Sequence, residues 1–239
     1  MIPLSDENPT RTTPYVTYAL VAINVAVFLY QLSLGSQVEG FIAACAFRPD
    51  ELVGGRDLPP PTCVQPPWLT IFTSMFMHGG LMHLASNMLF LWIFGNNVED
   101  AMGHLRYLLF YLLCGVAAAL VQTLFTLSFN PGDADIPNLG ASGAIAGVLA
   151  AYLVLFPHAR VRTLIILGFF ISMTRIPALV VLGLWFVLQF FTGLGAVAGG
   201  DTGGVAVWAH VGGFAAGLLL VRLFARGDRG RRAMPAYRF

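Results

Sequence analysis

The chain contains no lysine at all, and charged residues of any kind make up only 10% of its 239 positions. A soluble domain normally carries about 25% charged residues. With 57% hydrophobic residues and a mean hydropathy of +0.74, the sequence describes a polytopic membrane protein. Cysteine is scarce too. Cys45, Cys63 and Cys114 fit neither a zinc site nor a disulfide framework, although Cys45 and Cys63 fall in one loop and can pair if it faces an oxidising compartment. Residues 1–14 lack the basic stretch of a signal peptide, so the first apolar segment is expected to stay as an anchor.

All thirteen cations are arginine, and Arg222, Arg226, Arg229, Arg231, Arg232 and Arg238 crowd into the C-terminus. Beside a membrane segment such a cluster is a topology signal rather than a nucleic-acid site. It assigns 225–239 as a basic cytosolic tail and predicts a cytosolic N-terminal segment, 1–14, after an even number of crossings. Six segments account for the apolar runs: Tyr15–Leu34, Leu81–Asn96, Leu105–Phe125, Gly140–Phe156, Pro177–Gly195 and Gly203–Phe224. Residues 35–80, rich in proline, read as a large loop dipping into one leaflet. Residues 161–173 read as lying at the interface, because a seventh span would put the arginine tail outside. The fold class is thus an all-α polytopic bundle spanning 15–224. Arginine without lysine suits a GC-rich genome, and the expected location is a bacterial inner membrane.

Polar residues at membrane depth are costly, so each is a functional candidate. Ser142 opens the fourth segment and His210 lies in the sixth. At about 1.5 Å per residue, Ser142, His210 and His83 all fall on one level, roughly 20 Å above the cytosolic ends of their helices. Asn87 sits one turn below His83. Behind Ser142 come Gly143 and Gly147, and behind His210 come Gly213 and Gly217. Such spacing lets helix backbones approach closely in lipid and brings Ser142 beside His210.

A serine hydroxyl becomes a nucleophile when a neighbouring histidine accepts its proton. No carboxylate lies at this level, since Glu99 and Asp100 fall at the cytosolic end, so the pair is a dyad. The backbone N–H of Ser142 with the side chains of His83 and Asn87 can serve as an oxyanion hole. His78 orients the loop or caps the second segment; His104 and His158 are interfacial. The spacing of His78, His83 and His210 is not a zinc pattern, and no metal or cofactor is expected. Gly140-Ala141-Ser142-Gly143-Ala144 also lacks the second glycine of a soluble hydrolase's nucleophile elbow.

Gly140-x-Ser142-Gly143, His210-x-x-Gly213-x-x-x-Gly217 and His83-x-x-x-Asn87 together resemble the rhomboid family of intramembrane serine proteases. Gly95, Glu99 and Gly103 match a further family motif, a structural one, after the second helix. The resemblance implies a six-helix fold, a half-inserted first loop, and hydrolysis of a peptide bond in or beside the transmembrane segment of single-span substrates. It implies Ser142 as nucleophile, His210 as base, and His83, Asn87 and the Ser142 N–H as oxyanion hole. It also implies that the fifth segment and the loop after it form a gate. Some members place an aromatic residue four positions after the serine, where it supports the histidine. Here that position is Ala146, which leaves Tyr152, a sixth-segment neighbour or nothing in that role. The competing reading is a pseudoenzyme that binds transmembrane clients without cutting them; a transporter would need an inverted repeat, which the sequence lacks.

Overall fold

The computed structural model describes residues 1–54, 62–197 and 206–226. In chain order they form strand β1 (Ile2–Asp6), then helices α1 (Tyr15–Ser33), α2 (Val38–Cys45), α3 (Pro49–Gly54), α4 (Thr70–Ser74), α5 (Leu81–Met102), α6 (His104–Phe129) and α7 (Ser142–Leu155). Strands β2 (Arg160–Leu167) and β3 (Phe170–Pro177) follow, then α8 (Ala178–Val197) and α9 (Val207–Phe224). Among the described residues, α1, α6, α8 and α9 are long and apolar enough to cross a membrane. The shorter α7 is the most enclosed: ten consecutive residues, Gly143–Tyr152, are buried. It packs against α5, α6, α8 and α9, so the bundle is built around the helix that begins with Ser142.

Loop 35–80 is largely helical where it is described. Cys45 and Cys63 are disulfide-bonded with their Cα atoms 5.2 Å apart, which ties α2 to the segment leading into α4. Thr73 donates to the Cys45 carbonyl at 2.6 Å, and the Ser74 carbonyl accepts from Gly140 N–H at 2.9 Å. The loop thereby braces the entry to α7. The arginines beyond Arg226, the loop 198–205 and the proline run 59–61 lie outside the described residues.

Residues 161–173, expected at the interface, have a structure the sequence did not announce: β2 and β3 pair as an antiparallel hairpin from Arg160↔Pro177 to Leu167↔Phe170. Its two-residue turn begins at Gly168, with φ +58°, the position at which a tight hairpin requires positive φ. β1 adds to the outer edge of β2, so residues 2–6 of the N-terminal segment are the third strand of a small sheet. The second segment also continues past Asn96 to Met102, where Glu99 and Asp100 accept hydrogen bonds from the start of α1 and the residues just before it.

Glu99 is fully buried, and its carboxylate accepts from the N–H groups of Val16 (2.9 Å) and Thr17 (2.7 Å), from the Thr17 hydroxyl (2.7 Å) and from His104 Nδ1–H (2.6 Å). The first N–H groups of any helix lack intrahelical acceptors. α1 has no cap of its own, and α5 supplies one whose negative charge also suits a helix N-terminus. Gly95 leaves room for the Tyr107 hydroxyl, which would lie 2.7 Å from an added Cβ, and Gly103 yields to the Arg226 guanidinium. The motif Gly95, Glu99, Gly103 is thus where α1, α5, α6 and the end of α9 lock together.

Asp6 fastens the sheet to the bundle. Its Oδ2 accepts from the Tyr152 hydroxyl at 2.6 Å and from Asn97 Nδ2–H at 2.8 Å. Burial pushes this carboxyl up to about 6, against an ordinary value of 3.8, and the bond from Tyr152 only partly offsets it. A carboxyl raised by folding takes up a proton on docking between those two values, so docking strengthens as pH falls through 6. Hydrogen-exchange protection of the β1 amides, corrected for intrinsic rates, should rise about tenfold from pH 7 to pH 5. Asp6→Asn should abolish the rise; an unchanged pH dependence in that variant would refute the assignment.

Candidate functional site

Ser142 is the first residue of α7 and His210 lies one turn into α9. His210 Nε2 stands 2.7 Å from Ser142 Oγ. The two helices reach this distance because nothing separates their backbones: a Cβ on Gly213 would collide with the Gly143 carbonyl oxygen, and one on Gly217 with that of Gly147. Gln122 of α6 accepts from Ala209 N–H at 3.0 Å and so pins the first turn of α9 beside His210.

His83 and Asn87 come from the first two turns of α5. His83 Nδ1 accepts from Gly79 N–H at 3.4 Å, which leaves the proton on Nε2. That nitrogen points at Gly140. A Cβ there would lie 2.8 Å from His83 Nε2 and 3.7 Å from Ser142 Oγ, and Gly140 holds φ +127°. Glycine is therefore required twice over, for the backbone conformation and for the open space between His83 and Ser142. Asn87 is buried, and its Nδ2 has no hydrogen-bond partner among the described residues. A buried amide donor without an acceptor is uncommon and is poised for one that arrives from outside. The N–H of Ser142, in the first turn of α7, likewise precedes the helical ladder.

A cavity of about 40 Å³ opens beside Ser142, lined by Met75, Gly115, Ala118, Ala119, Gln122 and Ala209 among others. The arrangement can activate a hydroxyl, accept negative charge beside it and house a small side chain. Among the described residues there is no group of three His, Cys, Asp or Glu side chains able to hold a metal ion.

His78 does not cap α5. Its N–H donates to Gln31 Oε1 (3.0 Å), its carbonyl accepts from Gln31 Nε2–H (3.1 Å), and its ring lies edge-on to His83 at 5.1 Å. It fixes the loop to α1 and backs the His83 ring. His104 is bound to Glu99, whereas His158 is exposed at the end of α7. Tyr152 does not reach the histidine. It lies ten residues along α7 from Ser142, roughly 15 Å away, and its hydroxyl is held by Asp6.

The residue that does reach the histidine was not singled out in the sequence. Gln189 of α8 places Oε1 2.6 Å from His210 Nδ1. One turn earlier on α8, the Trp185 ring lies 5.8 Å from the imidazole at 40°. The available signal was the amide itself, set in the apolar run from Ala178 to Phe191.

These features define a helical membrane bundle with a hydrogen-bonded serine and histidine inside it. A family model described as the rhomboid domain matches residues 65–227, well over half of the chain, and the chain belongs to the rhomboid family. It is 31% identical over 141 residues to the rhomboid protease GluP of Bacillus subtilis, covering 59% of this chain and 24% of that protein. Rhomboid protein 1, mitochondrial, of Saccharomyces cerevisiae is 31% identical over 147 residues, covering 61% and 38%. RHOMBOID-like protein 4 of Arabidopsis thaliana is 28% identical over 227 residues, covering 87% and 52%. The chain spans from about a quarter to about half of the length of these relatives.

Proposed function

We propose that the protein is an intramembrane serine protease that cuts single-span membrane proteins within or beside their transmembrane segment. The observation that carries this reading is the 2.7 Å bond between Ser142 Oγ and His210 Nε2, formed inside the bundle beside a cavity and beside the unpartnered Asn87 amide. Ser142 Oγ attacks the scissile carbonyl carbon while His210 Nε2 takes the hydroxyl proton. The carbonyl oxygen becomes an oxyanion held by the Ser142 N–H, His83 Nε2–H and Asn87 Nδ2–H, and the positive end of α7 adds to their effect. His210 passes the proton to the leaving amine, which departs and leaves the acyl group on Ser142. Water, deprotonated by His210, then releases the acid by the reverse sequence. The alanine- and glycine-lined cavity suits a small substrate side chain next to the cut bond.

The basic C-terminal segment favours a cytosolic C-terminus; with six crossings the N-terminus is cytosolic too, and the site, at the opposite end of α7, opens toward the outer side of a bacterial inner membrane. To test the reading, the purified protein in liposomes is given a single-span model substrate and the products are mapped by mass spectrometry. The expected result is one cut near the outer boundary of the span, with Ser142 labelled by a fluorophosphonate probe. A folded protein that retains the substrate and leaves it intact is instead a client-binding pseudoenzyme.

A further inference from the structure

We propose that Gln189 is a positioning residue for His210, and that helix α8 thereby takes part in the catalytic site. This rests on the dyad reading above. A neutral imidazole has one donor and one acceptor nitrogen. For His210 to accept the Ser142 proton at Nε2, its own proton must be on Nδ1, and that N–H needs an acceptor because the residue is 91% buried, its relative exposure being 9%. Gln189 Oε1, at 2.6 Å, is that acceptor. Without it, the tautomer protonated at Nε2 leaves no buried donor unsatisfied, and it cannot serve as a base toward Ser142.

The chemistry of the side chain fits its setting. In soluble hydrolases a carboxylate commonly occupies this place, but an ionised carboxylate in an apolar environment is far more costly than an amide. Trp185 and Gln189 lie four residues apart and so share one face of α8. Phe186 stacks on Phe214 at 4.2 Å next to them. α8 therefore meets α9 at His210 with a hydrogen bond flanked by two ring contacts. It is also the least enclosed of the four long apolar helices, with 17% of its apolar window buried against 28% for α1 and 39% for α6 and α9. The acceptor that sets the tautomer rides on the helix with least to hold it, so the dyad is competent only while α8 is seated.

The test uses the full chain in liposomes with a substrate the wild type cuts, and compares Gln189→Met with Gln189→Glu. Methionine keeps the length and volume but is at best a weak hydrogen-bond acceptor, and should lower kcat by about 10- to 100-fold with KM unchanged. Glutamate restores an acceptor and should recover most of that loss. A merely packing role predicts the reverse order, with glutamate the worse variant, and that order overturns the proposal, as does wild-type kcat in Gln189→Met. A wild type that cuts nothing overturns the dyad reading itself and the proposal with it. The 15N spectrum of the wild-type imidazole, which depends on no variant, should show Nδ1 protonated and Nε2 bare at neutral pH; the opposite tautomer refutes the assignment.

Discussion

Ser142→Ala and His210→Ala should each reduce kcat by about 10⁴-fold or more, and the double variant should be no worse than either. The hydroxyl has almost no nucleophilic power until its proton can leave, and the imidazole has no role once there is no hydroxyl to deprotonate. The 2.7 Å contact makes the two groups one device, so their removal is strongly non-additive. What survives is the contribution of the oxyanion donors and of substrate binding. Turnover of one substrate by all four proteins, with thermal unfolding in the same detergent to establish that each is folded, measures this directly. Losses that multiply in the double variant would mean that the two residues act at separate steps, and the dyad would have to be abandoned.

The sequence made this pair legible because membrane depth makes every polar side chain expensive. A single serine and a single histidine, each followed by paired glycines in an apolar run, narrow the possibilities to one layer of one bundle. The same physics marks Gln189 of α8, a polar side chain in an apolar run, as it marks His83 and Asn87. The sheet was hidden for another reason. Residues 161–171 are almost continuously apolar, so their alternation is blurred and they imitate a membrane segment, while β1 pairs across more than 150 residues of chain. The capping of the α1 N-terminus was invisible because capping signals are local, whereas Glu99 caps a helix 82 positions earlier. Tyr152, one of the alternatives left by Ala146, is excluded by its axial distance along α7 and by the bond that holds its hydroxyl at Asp6.

Gly213→Ala should unseat α9 from α7 and cost about 3 kcal/mol of stability, the top of the usual range for overpacked sites. The added Cβ would collide with the Gly143 carbonyl oxygen and lie 2.8 Å from the Gly143 carbonyl carbon. A clash with a flexible side chain can be relieved by a rotamer change, but here the obstacle is backbone in the first turn of a buried helix, and relief requires the helices to part. Parting by even 1 Å stretches the Ser142–His210 bond beyond useful length, so activity should fall along with the unfolding temperature. Gly183 provides the control. It is also helical and apolar in setting, but no atom of the described residues lies within 4 Å of a Cβ built there, so Gly183→Ala should be neutral or stabilising by up to about 1 kcal/mol through helix propensity. Opposite signs from the same chemical change would locate the energy in the α7–α9 contact rather than in glycine as such. Equal effects at the two positions would mean that the helices do not meet at Gly143 and Gly213, and would remove the structural basis for bringing Ser142 and His210 together.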